Sequence, residues 1–395
     1  MDKRCRGLKK ADVSDNMQMI LRMTRTELGG ADQLYRQTTI DALPDNVILE
    51  TFEFYLDKDD ADKIDGRHNY DGWHTIVHVC HRWRCIVFAS PRRLDLKLFC
   101  TRQRSVNSRT LDIWPALPIF IYTTDIQSKE DVTNVIAVLR HHNRVCKIHF
   151  SNWGFQDPLL KEFAAIDEPF PALTTLMLSS LARDVPVLPD SFLGGSAPRL
   201  RSLELDGIPY PSIGRLLSST TNLVRLFLRN IPHSGYIAPE TIVPCMSMLP
   251  RLRLLELEFR SPRPRAHQAS RHPPLTHVVF PTLTYLRFSG DVEYLEDILS
   301  QIETPMLNHS ELYFVNQLVF DTPLLGQFIR RTETFMKIHM ARVEISSGNV
   351  EVTLWGREEM ADDDMETRSL SISYRRLDWQ LSALPQVLNH SCLPF

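Results

Sequence analysis

Residues 198–205 have the sequence Pro-Arg-Leu-Arg-Ser-Leu-Glu-Leu, and residues 250–257 repeat it closely as Pro-Arg-Leu-Arg-Leu-Leu-Glu-Leu. Both stretches carry apolar residues in the order Leu-x-x-Leu-x-Leu. Further copies of this spacing begin at positions 145, 173, 223, 283 and 307, so that successive copies lie 23 to 31 residues apart. A period of this kind indicates a stack of similar units, each of which packs mainly on its neighbours.

Leucine-rich repeats have a period of about 20–29 residues, with one strand and one return segment in each copy. A proline stands two positions before the first leucine in five copies, at Pro171, Pro198, Pro250, Pro281 and Pro305. Proline ends a preceding helix, which predicts the same helix-to-strand passage in each copy. The copies are irregular, because Ser310 replaces a leucine and most copies lack the usual asparagine. We therefore predict an α/β fold, an irregular leucine-rich-repeat solenoid (horseshoe) over residues 94–395.

In each predicted strand, the residues between the leucines point away from the buried side. Horseshoe folds commonly bind partners on this concave face. The predicted substrate-binding residues are Met177, Glu204, Asp206, Arg225, Phe227, Arg229, Glu256, Glu258 and Arg287. Their charges run acidic, basic, acidic, basic from strand to strand. The alternative is that these side chains only keep the sheet soluble.

Residues 39–93 have helical periodicity instead. Leu43-Pro44-Asp45 predicts a helix start, since proline is tolerated in the first turn and aspartate is favoured there. The following helix is apolar over more than one face, which favours cover by a partner. A polar, acidic insertion at 57–72 predicts a loop, and a second helical run from Ile76 to Val87 ends before Ser90-Pro91.

Leu43-Pro44, Val79-Cys80-x-x-Trp83-Arg84-x-x-Val87 and Ser90-Pro91-x-x-Leu94 resemble an F-box. With its acidic insertion and the stretch Phe314–Pro323, the chain is similar to the expanded F-box family of mushroom-forming (basidiomycete) fungi. The resemblance implies a substrate-recognition subunit of an SCF-type cullin-RING ubiquitin ligase, without enzymatic activity or cofactor. The adaptor contacts that it implies on a Skp-type adaptor are Leu43, Pro44, Val47, Ile48 and Phe52, with Trp83 and Val87 packing the unit or reaching the adaptor.

Two alternatives stay open at this point. The repeats could form an interaction scaffold that does not bind the adaptor, or the C-terminal part could hide a hydrolase. The chain contains no GxSxG, P-loop, GxGxxG or EF-hand pattern. His74 and His78 lie one helical turn apart, but the glutamate of a zinc-binding HExxH motif is missing, so no metal site is predicted.

The composition of the 395 residues is typical of a globular protein, with a net charge of -3. It does not suggest a nucleic-acid partner, and no run of about 18 apolar residues predicts a membrane span. The seven cysteines are scattered and form no CxxC pair, which favours an intracellular chain, in the cytoplasm and/or the nucleus. Residues 1–38 are expected to be a flexible leader. The Pro- and Arg-rich residues 260–274 are expected to be an exposed loop.

Overall fold

The structure is a computed structural model that describes residues 40–57, 72–101, 111, 116–124, 129–152, 158–182, 185–260, 277–314, 323–333, 335, 338–346, 349–356 and 369–375. The predicted leader 1–38 lies outside the described residues, as do most of the acidic insertion and residues 261–274 of the basic loop. The chain divides into two compact units, unit 1 (Met1–Ser90) and unit 2 (Pro91–Phe395).

Unit 1 is helical over its described residues. Its helices are α1 (Asp45–Asp57), α2 (Gly72–Val77) and α3 (His81–Ala89). Helix α1 begins directly after Pro44, and α3 ends directly before Ser90-Pro91, where the sequence predicts these boundaries. The first helix buries Ile48, Leu49 and Phe52, whereas α3 buries Trp83, Ile86 and Val87. The Phe52 and Trp83 rings meet edge to face, with 4.8 Å between their centroids.

The second helical run is broken, and the prediction of one continuous helix from Ile76 to Val87 is wrong. Cys80 has an extended backbone (φ -156°, ψ 170°) and is the N-cap of α3. Its Sγ accepts a hydrogen bond from the Trp83 amide at 3.5 Å. A side chain that accepts from the first turn satisfies an amide that has no partner within the helix. The cysteine therefore starts a new helix at a position where apolar periodicity alone suggests continuation.

Unit 2 is a mixed α/β structure. Its strands are β1 (Leu98–Thr101), β2 (Ile119–Thr124), β3 (Val145–Asn152), β4 (Thr175–Ser180), β5 (Ser202–Asp206), β6 (Arg225–Ile231), β7 (Leu254–Phe259), β8 (Val278–Val279), β9 (Tyr285–Gly290), β10 (Ile302–Glu303), β11 (His309–Phe314), β12 (Ile338–Ser346), β13 (Asn349–Gly356) and β14 (Ser369–Arg375). Its described helices are α4 (Lys129–Leu139), α5 (Pro158–Ala164), α6 (Ile213–Ser219), α7 (Pro239–Ser247), α8 (Val292–Leu299) and α9 (Pro323–Arg331).

Twelve of these strands form one sheet in the order β1-β2-β3-β4-β5-β6-β7-β9-β11-β14-β13-β12. The nine strands from β1 to β11 are parallel and follow the order of the chain. Strand β14 adds to β11 in parallel, and β13 and β12 follow in antiparallel pairing. The alternation of apolar residues over 335–355 in the sequence fits these two paired strands. The short strands β8 and β10 form a separate parallel pair.

A closed turn precedes each regular strand of the repeat. In six copies the first leucine donates its amide hydrogen to the carbonyl three residues earlier, at 3.0 to 3.4 Å; the donors are Leu173, Leu200, Leu223, Leu252, Leu283 and Leu307. In five of the six, the predicted proline occupies the second position of this turn, which its fixed φ angle suits. The proline therefore starts a β-turn as well as ending the preceding segment.

Strands β4, β9 and β11 alternate strictly between half-buried and buried residues. The buried positions carry the motif leucines, as in Leu176 and Leu178. In β11 the buried position is held by Ser310, which is 1% exposed, and the strand keeps its register with β9. The serine thus replaces a leucine without ending the pattern of parallel strands.

One predicted strand is shorter than its sequence pattern suggests. Leu94, Leu96 and Leu98 alternate, but β1 begins only at Leu98. Asp95 has a φ of 46°, in the left-handed region, so the chain turns between the first two leucines. Both of these leucines are nevertheless buried. Among the described helices, none has the length and apolar character that a membrane crossing needs.

A buried carboxylate joins two helices of unit 2. Glu296 of α8 is 1% exposed. Its Oε2 accepts from the Leu324 amide at 2.9 Å, and its Oε1 accepts from the Leu325 amide at 2.7 Å. Both amides belong to the first turn of α9, which lacks carbonyl partners within the helix and carries partial positive charge. Glu296 therefore caps a helix other than its own.

Candidate functional site

The side chains that alternate with the buried leucines form one polar surface of unit 2, the strand face. It contains every residue that the sequence analysis assigns to substrate binding. Met177, Glu204, Phe227, Glu256 and Arg287 occupy one row across adjacent strands, because each is the register partner of the next. The neighbouring row includes Asp206, Arg229 and Glu258. The structure thus brings the predicted residues together on one face of the sheet.

The acidic and basic residues of the strand face neutralise one another. Arg229 lies between two carboxylates, with Nη1 at 2.5 Å from Oε1 of Glu204 and Nε at 2.5 Å from Oε2 of Glu256. Its guanidinium also lies 4.8 Å from the centre of the Phe227 ring. Hydrogen bonding to Glu256 is the main cause that raises the pKa of Arg229, against an opposing effect of burial. Arg229 is therefore a cross-strand tie as well as a surface charge.

For Glu204, burial has a larger effect on the pKa than the neighbouring arginine has. It raises the pKa of this carboxyl, and Arg229 opposes the rise. Glu256 is 5% exposed, so its carboxylate depends on Arg229 for compensation. The two carboxylates stand on either side of the arginine, on strands β5 and β7.

A second arginine repeats this arrangement two strands further along. Arg287 Nε lies 2.7 Å from Oε1 of Glu258, and Nη1 lies 3.3 Å from Oε2 of Glu311. Nε makes no hydrogen bond, so the contact with Glu258 is an ion pair only. The guanidinium also lies 5.1 Å from the centre of the Tyr313 ring. Although burial opposes it, the pKa of Arg287 is raised by Glu258, the Tyr285 hydroxyl and Glu311.

Glu311 is the centre of a cluster that the sequence analysis does not predict. His309 Nε2 lies 2.9 Å from Oε1, the Tyr285 hydroxyl donates to Oε1 at 3.3 Å, and the Tyr313 hydroxyl donates to Oε2 at 3.2 Å. The hydrogen bond with His309 is the main cause that lowers the pKa of Glu311. The Tyr285 and His309 rings stack with 5.2 Å between centroids. The cluster could have been predicted from the sequence, because His309, Glu311 and Tyr313 alternate after Leu307 and so lie on one face of the strand.

Towards strands β1, β2 and β3, lysine and aromatic side chains lie together on the sheet. Lys97 and Lys147 both place Nζ over the Phe120 ring, at 5.3 Å and 4.9 Å from its centre. Lys97 also pairs with Asp95. Burial and the neighbouring Lys97 lower the pKa of Lys147. Tyr122 and His149 meet edge to face on the same surface, 5.5 Å apart.

Unit 1 presents a second candidate surface on helix α1. Val47, Thr51 and Phe54 are spaced by four and three residues, so they share one side of the helix. Val47 is 38% exposed and Phe54 57% exposed, and Tyr55 beside them is 36% exposed. We call Val47, Thr51, Phe54 and Tyr55 the α1 stripe. Three large apolar side chains at the surface of one short helix are typical of a contact surface.

The implied adaptor contacts separate into two groups. Ile48, Phe52, Trp83 and Val87 are at most 5% exposed and form the core of unit 1. Pro44 and Val47 are exposed and Leu43 is half-buried, next to the beginning of α1. The first group supports the helices, and the second group is accessible to a partner. Trp83 and Val87 thus pack the unit, which is one of the two roles considered for them.

Arg82 fixes the segment that carries Leu43 and Pro44. Its Nη2 donates to the Leu43 carbonyl at 2.5 Å and to Asp45 Oδ1 at 2.6 Å, and its Nε donates to the same oxygen at 3.1 Å. The arginine belongs to α3 and the acceptors to the start of α1. One side chain therefore ties the two helices together beside the exposed segment.

We expect Arg82→Ala to destabilise unit 1 by about 1–2 kcal/mol. The change removes the charged group that donates hydrogen bonds to both the Leu43 carbonyl and Asp45, at a partly exposed site. Arg84→Ala is the matched control on the same helix, because Arg84 donates only to the Val77 carbonyl. Chemical denaturation followed by tryptophan fluorescence compares the two variants. Equal losses would contradict the tying role of Arg82.

No described group of three or more His, Cys, Asp or Glu side chains could hold a metal ion. Burial and the neighbouring His78 lower the pKa of His74. The predicted basic loop lies outside the described residues except for Arg260 and is not assigned to either surface. A scan against models of known protein families finds no match for this chain, and a search of curated proteins finds no significant match.

Proposed function

We propose that this chain is a non-enzymatic substrate receptor of an SCF-type cullin-RING ubiquitin ligase. In this proposal unit 1 is an F-box that docks on a Skp-type adaptor. Unit 2 is an irregular leucine-rich-repeat solenoid whose strand face is the concave side and binds a protein substrate. The α1 stripe beside Leu43 and Pro44 is the observation that carries the proposal.

The α1 stripe supports docking because a small helical unit gains little by exposing large apolar side chains. Phe54 is 57% exposed although Ile48 and Phe52 on the same helix are buried. Burial of an aromatic side chain by a partner contributes about 2 kcal/mol, which is enough to make it a central contact of an interface. The resemblance of Leu43-Pro44 and Cys80-x-x-Trp83-Arg84 to an F-box adds the identity of that partner.

The strand face supports binding more than catalysis. Glu204, Glu256, Glu258 and Glu311 each have an arginine partner within 3.3 Å. An oxygen that an arginine already contacts is poorly placed to take a proton from a substrate. Ordered charges on a rigid sheet instead give electrostatic complementarity to a protein partner.

The receptor would act by raising the effective concentration of the substrate near the ligase. Such a function belongs to the cytoplasm or the nucleus. Five cysteines among the described residues are free, at Cys80, Cys85, Cys100, Cys146 and Cys245, which suits a reducing compartment.

We expect the wild-type chain to co-purify with a Skp-type adaptor in a one-to-one complex, and Leu43→Ala with Pro44→Ala to lose it. The paired change removes exposed apolar contacts, whereas the carbonyl that holds Arg82 belongs to the backbone and is kept. Affinity should fall about tenfold or more, as for central interface residues. Size-exclusion chromatography with light scattering provides the stoichiometry, and titration calorimetry the affinity.

Met248→Ala is the matched control, because Met248 is 54% exposed but lies in unit 2. It should leave adaptor binding unchanged. The circular dichroism of the strands should be the same in all three proteins. No adaptor binding by the wild type would favour the alternative, a repeat scaffold whose F-box-like helices only pack on themselves.

A further inference from the structure

Five exposed arginines cluster where strands β5, β6 and β7 begin. They are Arg199, Arg201, Arg225, Arg251 and Arg253, which we call the arginine rim. Only Arg225 is among the residues that the sequence analysis assigns to binding. The others flank Leu200 and Leu252 in the two Pro-Arg-Leu-Arg turns, where the leucine is buried and both arginines remain at the surface.

The register of the sheet brings these turns together. The Val224 and Arg225 amides both donate to the Arg201 carbonyl, at 2.8 and 3.0 Å. The Arg253 amide in turn donates to the Val224 carbonyl at 2.9 Å. Adjacent strands lie about 4.8 Å apart, so three consecutive strands place the rim within roughly 10 Å along the sheet edge.

The arginines of the rim have no close ion-pair partner within the described residues, although Arg225 attracts the carboxylate of Glu204. None of the five arginines forms a salt bridge or a side-chain hydrogen bond with another described residue. The segments that form this end of the three strands, 196–201, 217–225 and 246–254, contain no Asp or Glu. Arg229 and Arg287 differ, since each has two carboxylates as partners.

Like charges this close repel one another, and an anion that binds between them relieves the repulsion. Guanidinium groups also match carboxylate and phosphoryl oxygens with paired hydrogen bonds. A group of five arginines without close ion-pair partners among the described residues is therefore suited to a ligand with several adjacent negative charges.

We propose that the arginine rim binds a strongly acidic segment of a partner protein, with adjacent carboxylates or phosphoryl groups. This rests on the proposed role of unit 2 as the substrate-binding unit and names the substrate class. On the adjoining strand face Arg229 is paired with Glu204 and Glu256, so the positive charge of the rim does not continue there along the path of a long polyanion. The rim segments 196–201, 217–225 and 246–254 contain no Phe, Tyr or Trp on which bases could stack. A protein segment with a short acidic stretch satisfies both conditions better than a nucleic acid does.

The test uses the full chain and fluorescently labelled probes in an anisotropy titration. The probes are an oligoglutamate peptide, a peptide with adjacent phosphoserines, an oligoglutamine peptide and an oligothymidylate. The rim variant combines Arg201→Ser, Arg225→Ser and Arg253→Ser. The matched control combines Arg92→Ser, Arg260→Ser and Arg330→Ser, which removes three exposed arginines elsewhere in the chain.

We expect both acidic peptides to bind the wild type and oligoglutamine not to bind. The rim variant should weaken acidic-peptide binding roughly tenfold, because it removes three of the five positive charges of the rim. The control variant should bind like the wild type, and added salt should weaken binding in both. Stronger binding of the phosphoserine peptide than of oligoglutamate would assign phosphoryl groups as the preferred anion.

Equal losses in the rim and control variants, or no binding of either acidic peptide, would overturn the proposal. Tighter binding of oligothymidylate than of the peptides would overturn the choice of a protein ligand. These results are independent of adaptor binding. A chain that binds the adaptor but no acidic peptide contradicts only the rim, and the reverse result contradicts only the ligase function.

Discussion

Glu296→Ala lowers the free energy of unfolding of unit 2 by about 3–5 kcal/mol, the range expected when a buried charged group with specific partners is removed. The carboxylate accepts from the Leu324 and Leu325 amides at 2.9 and 2.7 Å and is 1% exposed. Alanine leaves these amides without an acceptor and opens a cavity between α8 and α9. Urea denaturation measures the total loss, and hydrogen exchange at the two amides locates it.

Two variants of the same helix control this experiment. Glu296→Gln keeps the shape and one acceptor oxygen, so it should lose about half as much stability. Glu293→Ala removes an exposed carboxylate from the first turn of α8 and should cost at most about 1 kcal/mol. If Glu296→Ala were no less stable than Glu293→Ala, the capping role of Glu296 would be wrong.

Arg229→Ala has the second large effect, and it depends on pH. The change removes the partner of Glu204 and Glu256, whose carboxylates lie within 2.5 Å of the guanidinium. We expect a loss of about 3 kcal/mol at neutral pH, because two largely buried carboxylates remain without compensation. Arg225→Ala on the same strand should cost less than about 0.5 kcal/mol, since that side chain is exposed and forms no salt bridge with a described residue.

The sign of the pH dependence follows from Glu204. Burial raises the pKa of this carboxyl, and Arg229 opposes the rise. Without the arginine the pKa rises further above its value in the unfolded chain, so the charged form disfavours folding. As the pH falls through the raised pKa, the carboxyl takes up a proton and the penalty disappears.

The deficit of Arg229→Ala relative to the wild type should therefore shrink between neutral and mildly acidic pH. Adding Glu204→Gln to Arg229→Ala should restore part of the stability at neutral pH. Thermal unfolding at several pH values measures both effects. A deficit that is the same at every pH would show that the ion pairs do not cause it.

The strands could be predicted because a buried leucine every second position requires an extended chain with one side covered. The Pro-x-Leu sequences also indicated where the strands begin, because a turn at Leu200 and at Leu252 precedes β5 and β7. The break at Cys80 could not be predicted, since it depends on a sulfur that accepts one backbone hydrogen bond. Strand β11 could still be predicted from the copy that begins at Leu307, although Ser310 replaces the leucine at its buried position.

The strand face was predicted as a set of residues but not as a set of contacts. Aligning the leucines indicates that Arg229 and Glu256 lie on neighbouring strands, yet it does not indicate that they pair. Pairing depends on side-chain length and on the diagonal offset between rows, which the register alone does not supply. Of the arginine rim only Arg225 was predicted, because the other four members lie in turns that become neighbours only when the sheet forms.

The position of β14 has a consequence for synthesis on the ribosome. In the sheet it lies between β11 and the β13–β12 pair, although it follows all three in the chain. Until Ser369–Arg375 has emerged, β11 and β13 both expose an unpaired strand edge. Open edges recruit other strands, so nascent or prematurely terminated chains that lack β14 are aggregation-prone. Protection of these two edges against self-association thus comes only after β11, β12 and β13 have been made.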